Sequence, residues 1–285
     1  MGKPGTCHLC AKETDSLSKD HIQPQCAFNE KHRTYVRMES VQSMAIRKNK
    51  AVAGPAVRNI YFEIQPDRPI AGGIYRYTQC RDCNGILGTF YDKRLGDWSH
   101  DALALLKPGR VILLQGEYTQ ECRYPLSILK RVIAMFFSIN GEKFSSCHRQ
   151  LSMFVREPQC RHLPHRYRFY AGYNINDLVS HIPLQCRLHM GSGEKSWISQ
   201  IAHPPFVYAM TIDSGSPDDR LTDITGFARF GYNDEANIDV VLRVLPTNSC
   251  FAGDYRARGK LVPDDIVVFA TEVMPSYFKV VDARI

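Results

Sequence analysis

Apolar residues occupy nearly every position between Pro125 and Asn140, and this segment is the clearest single element of the chain. Proline at its start and Asn140-Gly141 at its end are typical helix boundaries. A helix that is apolar on nearly all faces is expected to be buried. Lys130 and Arg131 interrupt the pattern on one face, where their charged ends could extend along the surface to solvent or contact a phosphate; the pattern favours solvent.

Later segments alternate between apolar and polar positions or are rich in β-branched and aromatic residues, which predicts strands. These segments are residues 167–173, 206–212, 224–230, 238–245 and 266–269. Together with the helix they predict an α+β fold with a mostly antiparallel sheet. In the first third of the chain, segments 59–65 and 73–78 read as strands and segment 84–95 has helical spacing.

Two cysteine pairs share the C-x2-C spacing, and they are Cys7 with Cys10 and Cys80 with Cys83. Two such turns can supply four thiolates to one tetrahedral zinc ion, because each turn directs both of its sulfurs to the same side. The repeated spacing favours a structural zinc site over four unrelated cysteines.

The residues around these pairs form an ordered set. Asp20 and His21 lie between the pairs, Asn84 follows Cys83 directly, and Asp92 comes eight positions after Asn84. This set, within residues 1–95, resembles the zinc-stapled branch of the HNH endonucleases, the ββα-metal or His-Me finger superfamily. The resemblance implies an N-terminal ββα-metal module that cuts phosphodiester bonds.

The residue types suit that chemistry. Hydrolysis of a phosphodiester at neutral pH needs a base, a cation and a group that orients the base. His21 suits the base, because histidine has a pKa of about 6.5. Asp20 and Asp92 are oxygen ligands suited to a catalytic Mg²⁺ or Mn²⁺, whereas the softer thiolates suit zinc. The resemblance assigns to Asn84 the orientation of the base or its loop.

Two features depart from the family pattern. In many members the last metal ligand is a His or Asn about nine positions after the central Asn, whereas Asp92 lies eight positions after Asn84. A shift of one residue turns a side chain on a helix by about 100°. Tyr91 and Lys93 are therefore alternatives to Asp92. The gap between the two halves of the motif is also long. Its basic segment 47–58 is predicted to be a surface loop, either solvated only or in contact with phosphate.

The length of 285 residues leaves room for two domains. We expect a nuclease domain over residues 1–100, a connector over 101–120, and a C-terminal α+β domain over 121–285 that recognises a target or a partner, or restrains the nuclease. Residues 1–100, 101–200 and 201–285 carry net charges of +5, +6 and −4. The basic first two-thirds are expected to face a polyanion, with ordinary charge scatter as the alternative.

A second basic candidate lies in the predicted C-terminal domain. Guanidinium groups bind phosphate, and aromatic faces stack on bases. Four arginines interleaved with aromatic residues meet this description: Arg156, Arg161, Arg166 and Arg168. An exposed strand without a binding role is the alternative.

Cysteine spacing and apolar runs bear on the compartment. The six cysteines outside the two pairs have no disulfide-like spacing, the first residues have no signal-peptide pattern, and no run of 18 apolar residues occurs. These features favour a reducing, cytoplasmic setting.

The sequence as a whole predicts a metal-dependent endonuclease that nicks DNA, most readily double-stranded DNA, as a monomer. A homodimer could make double-strand breaks. The C-terminal domain is expected to bind a second copy of the chain or a protein partner. By analogy with HNH proteins that carry unfamiliar appended domains, bacterial restriction or phage defence is a plausible setting. The alternatives are a non-catalytic zinc-stapled nucleic-acid-binding module and an RNA-directed nuclease with the same mechanism.

Overall fold

The protein has a mixed α+β fold in which most strand pairs are antiparallel, which confirms the predicted fold class at this level. The structure, a computed structural model, describes residues 2–29, 33–36, 69–70, 73–106, 116–174, 178–189, 195–245 and 267–271. The predicted loop over 47–58 and the predicted strand over 59–65 lie outside these residues.

The first sheet has three antiparallel strands in the order β1-β2-β5. They are β1 (Lys3–Thr6), β2 (Glu13–His21) and β5 (Tyr75–Gln79), so the strand predicted over 73–78 is confirmed. A short 3-10 turn, Gln25–Ala27, follows β2. The Asp20-His21 dipeptide ends β2 next to β5.

A long helical segment follows β5 directly. It consists of α1 (Arg81–Leu87), a π-helical turn (Gly88–Asp92) and α2 (Lys93–Leu105). The helix predicted over 84–95 is confirmed, and it extends further in both directions. The π turn changes the phase between Asn84 and Asp92, so spacing rules for a regular α-helix do not apply across it.

The second sheet joins strands from distant parts of the chain in the order β4-β3-β8-β9-β10-β7-β12-β6, with β11 paired to β7 and β13 paired to β8. Its parallel pairs are β3 with β8 and β12 with β7. The strands are β3 (Arg33–Val36), β4 (Pro69–Ile70), β6 (Glu117–Cys122), β7 (Tyr167–Asn174), β8 (Leu178–His189), β9 (Lys195–His203), β10 (Phe206–Ile212), β11 (Thr222–Asp223), β12 (Ile238–Leu245) and β13 (Val267–Thr271).

Four of the five strands predicted in the later part of the chain are confirmed as β7, β10, β12 and β13. The strand predicted over 224–230 is wrong, because Thr225–Arg229 forms a 3-10 helix. The Asp223 carboxylate accepts a hydrogen bond from the Thr225 amide, a local contact that favours a turn over an extended chain. Strands β8 and β9 were not predicted. In β8 the register shifts between Ile182 and Gln185, on either side of Pro183.

The predicted buried helix is confirmed as α3 (Pro125–Ile139), in which every residue is buried. Two short helices, α4 (Lys143–Cys147) and α5 (Arg149–Arg156), follow it in the chain. Helix α3 packs against α2, the π turn, α5, the 3-10 helix at Thr225–Arg229, and strands β5, β8 and β9. One continuous apolar cluster contains side chains from both predicted domains, among them Leu87, Trp98 and Phe136. The boundary between residues 100 and 121 stays a prediction.

Lys130 does not extend to solvent, which corrects the sequence-based expectation. Its side chain is fully buried, and its ammonium donates hydrogen bonds to the backbone carbonyls of Glu157 and, at 3.0 Å, Pro158. It also lies 4.6 Å from the centre of the Phe154 ring. The chain that leaves α5 therefore supplies acceptors that replace water for this charge.

Within the part of the chain that the structure describes, every helix is too short or too polar to cross a membrane.

The buried lysine should give stability a measurable pH dependence. Burial lowers the pKa of Lys130 to about 8, compared with about 10.4 in an unfolded chain. Between these values the unfolded state binds more protons, so the cost of the charged lysine decreases as the pH rises. We expect urea denaturation to show wild type gaining roughly 1–3 kcal/mol relative to Lys130→Met between about pH 7 and about pH 10. Subtracting the variant removes the titration of other groups, and a difference that is constant with pH would contradict the assignment.

Candidate functional site

Four cysteine thiols meet at the junction of the first sheet and α1. The sulfurs of Cys7, Cys10, Cys80 and Cys83 all lie within 4.8 Å of one another. Cys7 and Cys10 flank the turn between β1 and β2, whereas Cys80 lies between β5 and α1 and Cys83 lies in the first turn of α1. The Cys80 amide donates to the Cys7 sulfur at 3.3 Å, and the His8 amide donates to the Thr78 carbonyl at 2.7 Å. These contacts hold the two turns together.

The geometry of the thiols fits zinc. A tetrahedral site with Zn–S bonds of about 2.3 Å has sulfurs about 3.8 Å apart, and the Cys10 and Cys80 sulfurs are 3.8 Å apart. A hydrogen bond from the Cys83 thiol lowers the pKa of Cys7 to about 4, while burial raises the pKa of Cys10. A pKa raised on one thiol and lowered on its neighbour is expected where several thiols compete for negative charge. Four thiolates can coexist here when a cation balances them, so this cluster can hold a structural metal ion.

Asp20 lies on the inner side of β2. Its side chain is fully buried, and its Oδ2 accepts hydrogen bonds from Thr78 at 3.0 Å, Gln79 at 3.3 Å and Ser138. Burial raises the pKa of Asp20, while the nearby guanidinium of Arg131 opposes this shift. The Asp20 Oδ1 oxygen is buried and has no hydrogen-bond partner among the residues that the structure describes. One carboxylate oxygen therefore remains for a ligand.

Arg131 links Asp92 to the end of β2. Its side chain is only 2% exposed, and its Nε donates to Asp92 Oδ1 at 2.5 Å. A second guanidinium nitrogen donates to the His21 carbonyl at 2.8 Å, and the third, Nη1, is buried with no hydrogen-bond partner in the described part of the chain. The expectation that Arg131 extends to solvent is therefore wrong, because an acidic side chain and a carbonyl lie within reach inside the protein. Sequence reasoning missed this role, although a lone arginine in an apolar helix is a usable signal.

His21 and Asn84 lie on the two elements that meet at this corner. The half-buried His21 ring makes an edge contact with Tyr75, with ring centres 5.9 Å apart. The Asn84 amide nitrogen donates to the Lys19 carbonyl at 3.2 Å. Asn84 thus ties the first turn of the helix to the strand residue that precedes Asp20. The alternatives for the ligand after Asn84 differ in burial, since Tyr91 is buried and donates to the Val155 carbonyl, whereas Lys93 is exposed.

Two of the four arginines in the arginine-rich stretch, Arg166 and Arg168, carry charges that are already paired. Arg166 donates to Asp213 at 2.6 Å, and Arg168 donates to Asp223 at 3.2 Å. Both pairs are on the surface. Each of these two pairs presents a net charge close to zero to a phosphate, which weakens the case for Arg166 and Arg168 as part of a nucleic-acid surface.

Comparison with known proteins gives no family assignment. No protein-family model matches the chain, and no curated protein and no solved structure is significantly similar to it.

Removing one ligand of the thiol cluster should release its metal. We expect Cys80→Ser to lose zinc and to melt roughly 10 °C lower, because a structural zinc supplies several kcal/mol of folding free energy. Elemental analysis and thermal melts of the purified protein measure both quantities. Cys147→Ser, at an exposed cysteine, is the matched control and should keep the zinc content and melting temperature of wild type. A wild-type protein without zinc would show that the cluster does not hold this metal.

Proposed function

We propose that this protein is a metal-dependent endonuclease that hydrolyses phosphodiester bonds in DNA, with its active site at the corner formed by β2, β5 and α1. The observation that carries the proposal is the strand-strand-helix arrangement. His21 ends the first strand, the second strand passes through the thiol cluster into the helix, and Asn84 on that helix hydrogen-bonds to the Lys19 carbonyl. This is the order of elements that the resemblance to zinc-stapled HNH endonucleases implies.

Each residue at the corner has a defined task in this proposal. His21 takes the proton from the attacking water, for which a half-buried imidazole at the end of β2 is suited. Asn84 holds the backbone before Asp20 in place through its hydrogen bond, so the position of the base depends on the helix. The thiol cluster fixes that helix to the strand. Zinc, as the proposed structural ion, therefore acts on catalysis only through geometry.

The two carboxylates would hold the catalytic Mg²⁺ or Mn²⁺, which supplies positive charge against the phosphate when bound. The fit rests on the Asp20 Oδ1 oxygen, which is buried and to which none of the described residues forms a hydrogen bond. Asp92 uses Oδ1 for Arg131 and keeps its second oxygen. Arg131 thereby orients Asp92, as residues next to metal ligands commonly do.

DNA is the proposed substrate because the chain is basic, with a net charge of +7, and because the chemistry requires only a phosphodiester. RNA shares that chemistry and remains the alternative substrate. One such site cuts one strand, so the proposed monomer nicks duplex DNA and a homodimer would break both strands. We place the activity in the cytoplasm, in bacterial restriction or phage defence, by analogy alone.

A second candidate function is a zinc-stapled nucleic-acid-binding module without catalysis. The observation that favours it is the engagement of both carboxylates by the protein itself. Three side chains hydrogen-bond to Asp20, and Arg131 is paired with Asp92. A site in which the Arg131 guanidinium already neutralises the carboxylate would bind nucleic acid but would not require Mg²⁺. Cleavage assays separate the two candidates.

Replacing the proposed base should abolish cleavage without unfolding the protein. We expect His21→Ala to nick supercoiled plasmid roughly 10²–10⁴-fold more slowly than wild type in Mg²⁺, because a general base contributes about this factor. The exposed His162 provides a control, and His162→Ala should cut at the wild-type rate. If His21→Ala cuts as fast as wild type, the base is another residue; if no protein cuts, the binding module is favoured.

Asp92 can be tested without leaving Arg131 unpaired. We expect Asp92→Asn, which keeps an oxygen for the Arg131 hydrogen bond, to lower cleavage strongly at ordinary Mg²⁺ concentration while DNA binding stays the same or tightens. Titration with Mn²⁺, followed by electron paramagnetic resonance, should show weaker ion binding. Asp97→Asn is the matched control, because Asp97 is exposed on the helix that directly follows the π turn and, among the residues that the structure describes, its ion pair is with Lys93 alone. Equal ion binding by both variants would remove Asp92 from the metal site.

A further inference from the structure

We infer that the outer face of the first sheet binds a single nucleic-acid strand, with bases stacked on Tyr75 and Tyr77 and phosphates contacted by Lys3 and Lys19. This inference rests on the proposed function, since His21 lies at one end of the same face. We call these four residues the basic aromatic face.

Strand register brings the residues of the face together. On β2 and β5, His21 lies opposite Tyr75 and Lys19 lies opposite Tyr77. Residues two apart on a strand share a face, so Tyr75 and Tyr77 point to the same side. The Lys19 ammonium lies 4.1 Å from the centre of the Tyr75 ring, and the Lys3 ammonium lies 5.7 Å from that of Tyr77. Cations and aromatic rings therefore alternate along the surface towards His21.

The charges of this face are available to a ligand. Both lysines are exposed, and within the described part of the chain neither forms an ion pair with a carboxylate. Arg166 and Arg168, in contrast, are each paired with an aspartate. Tyr75 is 37% exposed, which is unusual for a large aromatic side chain among the residues that the structure describes. The exposed Tyr75 ring and the half-buried Tyr77 ring beside unpaired cations fit a polyanion that has aromatic bases.

The spacing of the rings favours a single strand over a duplex. The ring centres of Tyr75 and Tyr77 are 6.0 Å apart, and the ring planes are perpendicular. Successive bases in a duplex are about 3.4 Å apart and parallel, so they cannot lie on both rings while they remain stacked on each other. An extended strand with separated bases can use both rings, as in other sheet surfaces that bind single strands.

Binding without divalent ions tests the face separately from cleavage. Full-length, zinc-containing protein is titrated into a fluorescent oligothymidylate of about 12 nucleotides, within the range of roughly 4–16 nucleotides that such surfaces cover. Fluorescence anisotropy should show tighter binding to this strand than to a duplex of equal length. Tyr75→Leu should weaken the binding by roughly fivefold or more, while Tyr75→Phe, which keeps the ring, should retain it. Zinc content and thermal melts verify that each variant is folded.

The salt dependence tests the lysines. For a single strand, each phosphate contact contributes about 0.7 to the slope of log affinity against log salt concentration. Lys19→Gln should lower the slope by about this amount, and Lys143→Gln, at an exposed lysine on α4, should leave it unchanged. Equal affinities of Tyr75→Leu and wild type, or tighter binding of wild type to the duplex, would overturn the inference. Cleavage in Mg²⁺ that does not depend on Tyr75 would contradict strand binding by the basic aromatic face but not the proposed nuclease activity. Binding that depends on the Tyr75 ring, without any cleavage, would contradict the nuclease activity but not strand binding by the face.

Discussion

The meeting of four thiols is the constraint on which the N-terminal part of this protein depends. Cys10 and Cys80 are 70 residues apart in the sequence, and their sulfurs are 3.8 Å apart in space. Closing so long a loop costs conformational entropy, and thiolates so close together repel one another unless a cation balances them. The same junction sets the position of the helix relative to the strand that ends in Asp20-His21. A metal in this cluster would stabilise both the fold and the proposed active site.

Helix α3 is the second element on which the site depends. Arg131 and Ser138 are seven positions apart, so they lie on one face of the helix, two turns from each other. Arg131 contacts Asp92 and the His21 carbonyl, and Ser138 contacts Asp20. A helix from the second part of the chain therefore contributes polar groups to a site whose other residues lie in the first 100 positions. Changes in the packing of α3 are expected to act on that site directly.

Two buried charges give the otherwise apolar helix α3 polar contacts inside the protein. Lys130 and Arg131 are adjacent, yet they reach different partners, because neighbouring residues on a helix point about 100° apart. Lys130 binds carbonyls beyond α5, and Arg131 binds the Asp92 carboxylate. Each charge has hydrogen-bond acceptors inside the protein, which is the condition under which a buried charge is tolerated.

The sequence by itself determined the elements whose signals are local. The spacing of Cys7, Cys10, Cys80 and Cys83 predicted the thiol cluster, and continuous apolar character predicted α3. It did not determine which groups the charged side chains would meet, because those partners come from distant parts of the chain. The tertiary structure decided that Arg131 pairs with Asp92, that Asp20 is enclosed by side chains from β5 and α3, and that a π turn lies between Asn84 and Asp92. Local patterns indicate many of the helices and strands and the metal-type ligands, whereas burial and hydrogen bonding at a corner of three elements depend on how the whole chain packs.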